Sequence, residues 1–116
     1  MQAFHYTEVE AQPAEGVPGA TIRWAIGKNV GAPNFVTRVL EVGPGSATPY
    51  HTHPWEHEVF VLDGVGVVKT VDGETPIGPR MCVYVAPNEE HQFQNTGAEV
   101  LRFLCIIPFE PWHKEA

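Results

Sequence analysis

Hydrophobic and polar residues alternate along this chain in short runs, and turn-forming residues separate the runs. The runs are rich in β-branched and aromatic side chains, and we identify them at Thr21–Ile26, Phe35–Val42, Val59–Leu62, Val65–Val71, Met81–Val85, His91–Gln94 and Val100–Ile107. Short runs of this composition are typical of β-strands. Hardly any window has the helical period of about 3.6 residues. The pattern therefore predicts a protein built almost entirely of strands.

The segments between the runs carry the residues that tight turns require. Asp72-Gly73, for example, lies between two apolar runs and predicts a hairpin. Because the connections leave no room for crossover helices, the strands should form an antiparallel sandwich or barrel in a single all-β domain. We place this domain at residues 20–110, after a polar N-terminal arm at 1–19 that is rich in Pro and Gly, and before a tail at 111–116.

The composition supports a small globular domain and argues against several kinds of partner. The 116 residues are 43% hydrophobic and 18% charged, a balance that favours folding over disorder. The net charge of −7 and the scattered Lys and Arg residues leave no basic surface for nucleic acid or anionic membranes. Neither a signal-peptide pattern nor a membrane-spanning apolar run is present, so we expect a cytoplasmic protein. There, Cys82 and Cys105 should remain free thiols.

Histidines concentrate in one stretch, HTHPWEHEVF, which begins at His51. Side chains alternate along a strand, so His51 and His53 point the same way if this segment is extended. Pro54 interrupts backbone pairing and lets His57 return from the next strand. His91 begins another predicted strand. Because neutral imidazole is the commonest metal ligand in proteins, this cluster predicts a metal site.

The alternation of side chains along a strand does not decide whether His57 or Glu58 is a ligand of the site. His57 and Glu58 point to opposite faces of their strand, and only one of these faces can be turned toward the site. His5 and His113 lie in the arm and in the tail. We interpret them as surface residues or as residues satisfied by hydrogen bonds, since most single histidines bind nothing.

Two motifs in this chain resemble those of the cupin superfamily. The first, in residues 45–64, has a glycine, the HTH triplet, a third histidine and a second glycine; the second, in residues 87–95, has a proline, a histidine and an asparagine. The chain departs from the family pattern at His57, where glutamate is usual, and at Glu89, where glycine is common. APNFVTRVLEV followed by HTHPWEHEVF is most similar to small four-histidine, manganese-binding, single-domain cupins of thermophilic bacteria.

The resemblance implies a jelly-roll β-barrel that holds one divalent metal ion per chain, with manganese ahead of iron. Carried over residue by residue, the implied ligands are His51, His53, His57 and His91. Glu58 also falls within the allowed spacing of a ligand. With Glu58 as ligand, however, Gly64 would come one residue early and the strand parity would invert, so we favour His57.

Alternation also predicts which side chains line the pocket. In Val100–Ile107 one face carries Arg102, which fits solvent better, so the opposite face should point inward. We predict a substrate pocket lined by Phe93, Phe103 and Ile107, with two candidate catalytic residues, Arg38 and Cys105. Arg38 shares a face with apolar neighbours, so it either points inward or lies at a bulge. An inward guanidinium could hold a carboxylate or enolate; the alternative is a structural ion pair at the barrel mouth.

The outer face of the same strands is also apolar. Phe60 and Leu62 share one outer face, and part of the face with Cys82 and Tyr84 is similar. A single small barrel has little surface left to cover it, so we expect a homodimer. Cupins of this kind are commonly dimers, and the resemblance implies the same.

Three classes of function remain open. The leading hypothesis is a manganese- or iron-dependent oxygenase that performs dioxygenase-type cleavage of a small organic substrate, with dioxygen as a second partner. The alternatives are a non-redox metal-dependent lyase or isomerase, in which the metal acts as a Lewis acid, and a non-catalytic module that binds a small ligand.

Overall fold

The structure is a computed structural model that describes residues 1–14, 16–109, 111 and 113. Apart from two short 3₁₀ turns at Tyr6–Glu8 and Lys28–Val30, the regular elements of these residues are strands. They are β1 (Gln12–Pro13), β2 (Ala20–Ile26), β3 (Phe35–Val42), β4 (His57–Asp63), β5 (Gly66–Thr70), β6 (Gly73–Ile77), β7 (Cys82–Val85), β8 (Gln92–Asn95) and β9 (Leu101–Pro108). Within this described part, no helix has the length and apolar character needed to cross a membrane.

The strands form two antiparallel sheets that enclose one core. The larger sheet has the order β1-β2-β3-β9-β4-β7, and the smaller has the order β6-β5-β8. Every second side chain of β9 is buried, as the alternating sequence predicts. The ring of Phe103 on β9 lies 4.7 Å, centroid to centroid, from Phe93 on β8, so the apolar faces of the two sheets meet. The predicted all-β jelly-roll class is confirmed.

The seven predicted runs all contain strands, and two further strands were not predicted. β3 begins and ends where the pattern places it, whereas β4 starts two residues before Val59 because His57 already pairs with Val85. The hairpin at Asp72-Gly73 forms between β5 and β6. The sequence of β6 does not show the alternating pattern, because it is polar and contains Pro76. As an edge strand of the small sheet, it tolerates the missing N–H.

Part of the predicted N-terminal arm belongs to the packed structure. β1 pairs with β2, and Ala14 is buried in the core. The Arg23 Nε donates a hydrogen bond of 3.0 Å to the Val9 carbonyl oxygen. The large sheet therefore begins earlier in the chain than Ala20, where we expected the domain to start. The predicted tail, residues 111–116, lies mostly outside the described residues.

Gly64, the second glycine of the first motif, is required by backbone packing. Its φ is +84°, a conformation that favours glycine, and a Cβ there would lie 2.4 Å from the Val100 carbonyl oxygen. The tight turn after β4 can therefore form only where the chain has no side chain. The position of this glycine in turn fixes the register of β4, which carries His57.

Candidate metal centre

Four histidines meet at one end of the space between the sheets. The backbones of His51 and His91 form a reciprocal pair, in which each N–H donates to the carbonyl oxygen of the other, at 3.1 and 3.0 Å. The His53 carbonyl oxygen accepts a 2.7 Å hydrogen bond from the Asn88 N–H in the turn before His91. His57 is the first residue of β4, the next strand. The two motifs are thus joined by main-chain hydrogen bonds close to the imidazoles.

The imidazoles point toward a common centre. The possible ligand atoms of His51, His53 and His91 all lie within 4.8 Å of one another, and the Nε2 atoms of His51 and His53 are 3.0 Å apart. Metal–nitrogen bonds of about 2.1 Å would place neighbouring ligands about 3 Å apart. His57 is not part of this group of three by ligand-atom distance, but its ring lies beside the group, at centroid distances of 4.9 Å from His91 and 5.2 Å from His53.

The side-chain contacts of His91 fix which of its nitrogens can act as a ligand. Its Nδ1 lies 2.8 Å from the carbonyl oxygen of Glu89. A carbonyl oxygen only accepts hydrogen bonds, so Nδ1 must carry a proton, and Nε2 is the nitrogen through which His91 could bind a metal. Glu89, the departure from the family pattern, also accepts the Ala86 N–H with its carboxylate at 3.1 Å, which closes the turn before His91.

The surroundings keep three of the histidines neutral. Burial is the main cause that lowers the pKa of His57 to about 3 and that of His53 to about 4; the Arg38 cation is the next cause for His57. Burial, followed by His91, also lowers the pKa of His51. Neutral imidazoles have free lone pairs, so these groups are ready to bind a cation at ordinary pH.

The residues present fit a divalent metal ion. The Nε2 atom of His57 is buried and has no hydrogen-bond partner among the described residues. A buried polar atom without a partner is rare and calls for an unplaced ligand, water or ion. Imidazole nitrogen donors are compatible with manganese, iron, cobalt, nickel, copper or zinc. The donor set therefore supports a metal site without choosing the metal.

The structure separates His57 from Glu58 as the parity argument requires. The His57 side chain is buried and lines the pocket with the other three histidines. Glu58 is exposed on the opposite face of β4, where it pairs across the ladder with Tyr84 and Ile106. Glu58 thus does not reach the cluster, whereas the His57 ring lies 4.9 Å, centroid to centroid, from the ring of His91. The assignment of His57 as a ligand stays a prediction.

Arg38 points inward. The register of β3 with β9 is continuous, and the irregularity of this region lies between β2 and β3 instead. The Arg38 Nη2 is 3.0 Å from the Cys105 Sγ and 3.4 Å from the His57 Nδ1. Cys105 Sγ is in turn 3.1 Å from the same His57 Nδ1. Both candidate catalytic residues therefore lie against one histidine of the cluster.

The predicted pocket residues divide into two groups. Phe93 and Phe103 line the pocket with the histidines, whereas Ile107 is buried in the core but does not line it. Thr48 also lines the pocket, and its Oγ1 accepts the Phe93 N–H at 2.9 Å. Sequence reasoning missed Thr48 because it lies in a turn-rich segment with no alternation. The space between atoms in this pocket, including its mouth, is about 460 Å³.

Aromatic side chains surround the open side of the cluster. The Trp55 ring stacks on His53 with centroids 4.4 Å apart and an interplanar angle of 6°. His113 packs edge-on against Trp55 at 4.4 Å, and its Nδ1 hydrogen-bonds to the Pro108 carbonyl oxygen at 2.8 Å. His113 is thus satisfied by a hydrogen bond, as expected, although it lies beside the site.

A sequence model described as "Cupin domain" matches residues 38–107, which include all four histidines of the cluster. The polyketide cyclase RemF from Streptomyces resistomycificus has a similar structure. Its TM-score is 0.88 at 33% sequence identity, and the match covers 95% of this chain and 80% of that chain.

Two curated relatives come from thermophiles. A glucose-6-phosphate isomerase from Thermococcus kodakarensis is 34% identical over 69% of this chain and 49% of its own length. An oxalate-binding protein from Thermotoga maritima is 32% identical over 59% of this chain and 57% of its own length. The chain spans about half the length of the curated relatives that it matches.

Proposed function

The chain belongs to the cupin family, and from that premise we propose that it is a metal-dependent enzyme that acts on a small, oxygen-bearing organic molecule. The proposed ligands are His51, His53, His57 and His91. The observation that carries the proposal is the buried Nε2 of His57, which lacks a partner among the described residues and lies on a ring next to those of His53 and His91. Clustered imidazoles gain little unless they share a cation.

The reaction that we propose is non-redox, of the cyclisation or isomerisation type. A divalent ion bound there would act as a Lewis acid on a substrate carbonyl. The resemblance to a polyketide cyclase supports this choice because it extends over nearly the whole chain. The similarity to sugar-phosphate isomerases points to the same class of carbonyl chemistry.

The residues around the cluster would bind and shield the substrate. Phe93 and Phe103 present apolar surface to the pocket, and Leu40 adds to it. Such walls exclude water and strengthen polar interactions inside the site. Thr48 holds the Phe93 backbone in place by its hydrogen bond. Because the pocket lies between the sheets beside the histidines, we expect it to take a small molecule or one end of a longer one.

Oxidative cleavage, the leading hypothesis from sequence, is the second candidate. The donor set is compatible with it, because imidazole ligands suit manganese and iron as well as zinc. We keep manganese as the first metal to test and iron as the second. Dioxygen would then be a partner in addition to the organic substrate.

Metal analysis followed by controlled reloading tests the proposal. Tag-free protein purified without added metal should contain about one divalent ion per chain by mass spectrometry. The metal-free protein is then reloaded separately with manganese, iron or zinc, and enolisable carbonyl compounds are assayed with and without oxygen. Turnover by the zinc form under anaerobic conditions is the expected result.

The other outcomes separate the competing functions. Turnover only with oxygen and a redox metal would replace the proposed chemistry with oxidative cleavage. Ligand binding without turnover in any metal form would make the domain a binding module. A protein that retains no metal in any of these preparations would rule out the metal-dependent proposal altogether.

A further inference from the structure

The pocket contains a cation and no anion. Its described lining consists of apolar side chains, Thr48, the four histidines, Cys105 and Arg38, without any aspartate or glutamate. A guanidinium is always protonated in proteins, so Arg38 contributes a full positive charge. A metal held by neutral imidazoles would add its own charge without compensation. The described lining therefore carries the positive charge of Arg38 without a compensating carboxylate, in a chain whose net charge is −7.

Arg38 is held in this pocket by groups that do not neutralise it. Its guanidinium lies over the ring of Trp24, with Cζ 5.4 Å from the ring centroid, and its Nη2 contacts the Cys105 Sγ at 3.0 Å. The other arginines of the same sheet, Arg23 and Arg102, both pair with Glu41 at 2.8 Å. Among the residues that the structure describes, no carboxylate makes such a pair with Arg38.

One donor of Arg38 is left over. Its Nε is buried and has no hydrogen-bond partner among the described residues. A buried charge is costly unless it is paired and hydrogen-bonded. The Trp24 ring attracts the cation without accepting a hydrogen bond in the guanidinium plane, where the N–H donors lie and where a carboxylate binds them.

We propose that the substrate itself supplies the missing anion: the pocket selects a small molecule with a carboxylate or enolate group, which Arg38 binds. The inference rests on the proposed function only in taking this pocket as the substrate site. The Arg38 Nη2 lies 3.4 Å from the His57 ring, so the bound anion would be placed directly beside the imidazole cluster. Its oxygen-bearing end would face the cluster while an apolar remainder contacts Phe93 and Phe103.

A matched pair of probes tests this inference without any turnover. Butyrate and butyramide have the same carbon chain and nearly the same shape, and only butyrate carries a charge. Each is titrated into the full-length protein, once metal-free and once loaded with zinc, and binding is followed by nuclear magnetic resonance of backbone amides and of the Arg38 Nε–H. The expected result is saturable binding of butyrate, much weaker binding of butyramide, and a shift of the Arg38 Nε–H signal.

Variants identify the role of the guanidinium. Arg38→Gln should weaken butyrate binding by about 10- to 100-fold, the usual effect of losing hydrogen bonds to a charged group, and should leave butyramide unchanged. Arg38→Lys keeps the charge and should restore part of the affinity. Arg80→Gln removes the same charge from an exposed turn and should bind butyrate as the unmodified protein does.

The two proposals fail in distinguishable ways. Binding of butyrate by zinc-loaded protein that is unchanged in Arg38→Gln would overturn the inference and leave the metal-dependent function intact. Arg38-dependent binding by a protein that takes up no metal would support the inference while the proposed function fails. Equal affinity for butyrate and butyramide would contradict selection for an anion. Circular dichroism of each variant shows whether a loss of binding reflects unfolding.

Discussion

At the scale of single residues, the contact between Cys105 and His57 decides which nitrogen of His57 is available. The Cys105 Sγ lies 3.1 Å from the His57 Nδ1, and the Arg38 Nη2 donates to the same sulfur. If Nδ1 carries the proton, it donates to the sulfur, and Nε2 presents its lone pair to the cluster. The opposite tautomer would leave a buried N–H on Nε2 without an acceptor, which is costly. Cys105 is therefore a positioning residue for His57.

Removal of the sulfur should weaken metal binding. In Cys105→Ala the Nδ1 proton loses its acceptor, and metal affinity should fall by about 10- to 100-fold, as for other partners behind a metal ligand. Competition with a chromophoric chelator measures the affinity, and nitrogen NMR of the zinc-loaded protein reports the His57 tautomer. Cys105→Ser keeps an acceptor and should bind nearly as tightly.

The exposed Cys82 provides the matched control for this pair of variants. Cys82→Ala should have unchanged affinity, because its side chain lies on the outer surface. If Cys105→Ala bound zinc as tightly as the unmodified protein, with the same tautomer at His57, the positioning role would be wrong.

His57 and Glu58 give a second prediction at this scale. His57→Ala should lower metal content far more than Glu58→Ala, because only His57 lies in the cluster. Metal content per chain, measured by mass spectrometry after dialysis, compares the two variants. A larger loss in Glu58→Ala would reverse the ligand assignment.

Sequence alternation predicts where these side chains point but not what they touch. The parity of β4 separates His57 from Glu58, and the parity of β3 directs Arg38 toward the interior. The meeting of Arg38, Cys105 and His57 could not be predicted, because it depends on the pairing of β9 between β3 and β4 and on side-chain torsions. Alternation likewise predicts that Ile107 points inward, as it does, but not that it lies outside the pocket.

At the scale of elements, the N-terminal segment is attached to the sheet by a charged cluster. Glu41 on β3 accepts from Arg23 on β2 and from Arg102 on β9, both at 2.8 Å. The Tyr6 hydroxyl donates to the same carboxylate at 3.5 Å, and both guanidinium groups lie near the Tyr6 ring. One carboxylate thus joins three strands to the segment that precedes β1.

Loss of this carboxylate should release the N-terminal segment. In Glu41→Ala, Arg23 and Arg102 lose their shared partner, and the free energy of unfolding should fall by about 1 kcal/mol. Hydrogen exchange of the first 14 residues should become faster while the amides of β9 stay protected. Glu74→Ala breaks the exposed pair with Lys69 and should change neither quantity; equal exchange in the two variants would contradict the attachment.

Strands that bury one face and expose the other are the ones that the sequence predicts most accurately. β3 and β9 alternate strongly and were found at nearly their observed bounds. β1 and β6 were missed because each is a short edge strand that contains a proline and buries little. Their formation depends on the neighbouring strand, which supplies pairing partners that local sequence does not reveal.

At the scale of the whole molecule, an apolar outer surface is left uncovered. A groove formed by β4, β7 and β9 includes Phe60, Cys82, Tyr84 and Ile106. β7 is also an edge strand of the large sheet, so its outer backbone groups have no strand to pair with in the described chain. Apolar patches at a sheet edge are typical of interfaces. The predicted homodimer would use this groove.

A charge placed in the groove should disrupt the dimer. Phe60→Lys is expected to shift the protein from dimer to monomer, as measured by light scattering after size-exclusion chromatography. Val71→Lys, at an exposed apolar position outside the groove, should leave the mass unchanged. A protein that is monomeric before any substitution, at high concentration, would make this prediction wrong.

The fold class and the clustering of the histidines could be inferred from the sequence. Both follow from local backbone geometry, which sets the spacing of the histidines and of the two motif glycines. The resemblance to cupins was confirmed by the family match, and the all-β class by the sheets. The reaction could not be inferred in the same way. It depends on the charge and shape of a pocket assembled from β2, β3, β4, β8 and β9, most of which are distant in sequence.

The stacking of Trp55 on His53 gives the protein an internal optical reporter. An indole ring 4.4 Å from a proposed ligand should lose fluorescence when a paramagnetic ion such as manganese binds, whereas zinc should leave most of the emission in place. Trp55→Phe removes this response and keeps the aromatic stack. Metal occupancy of the purified protein could then be followed continuously by fluorescence while the ion is exchanged.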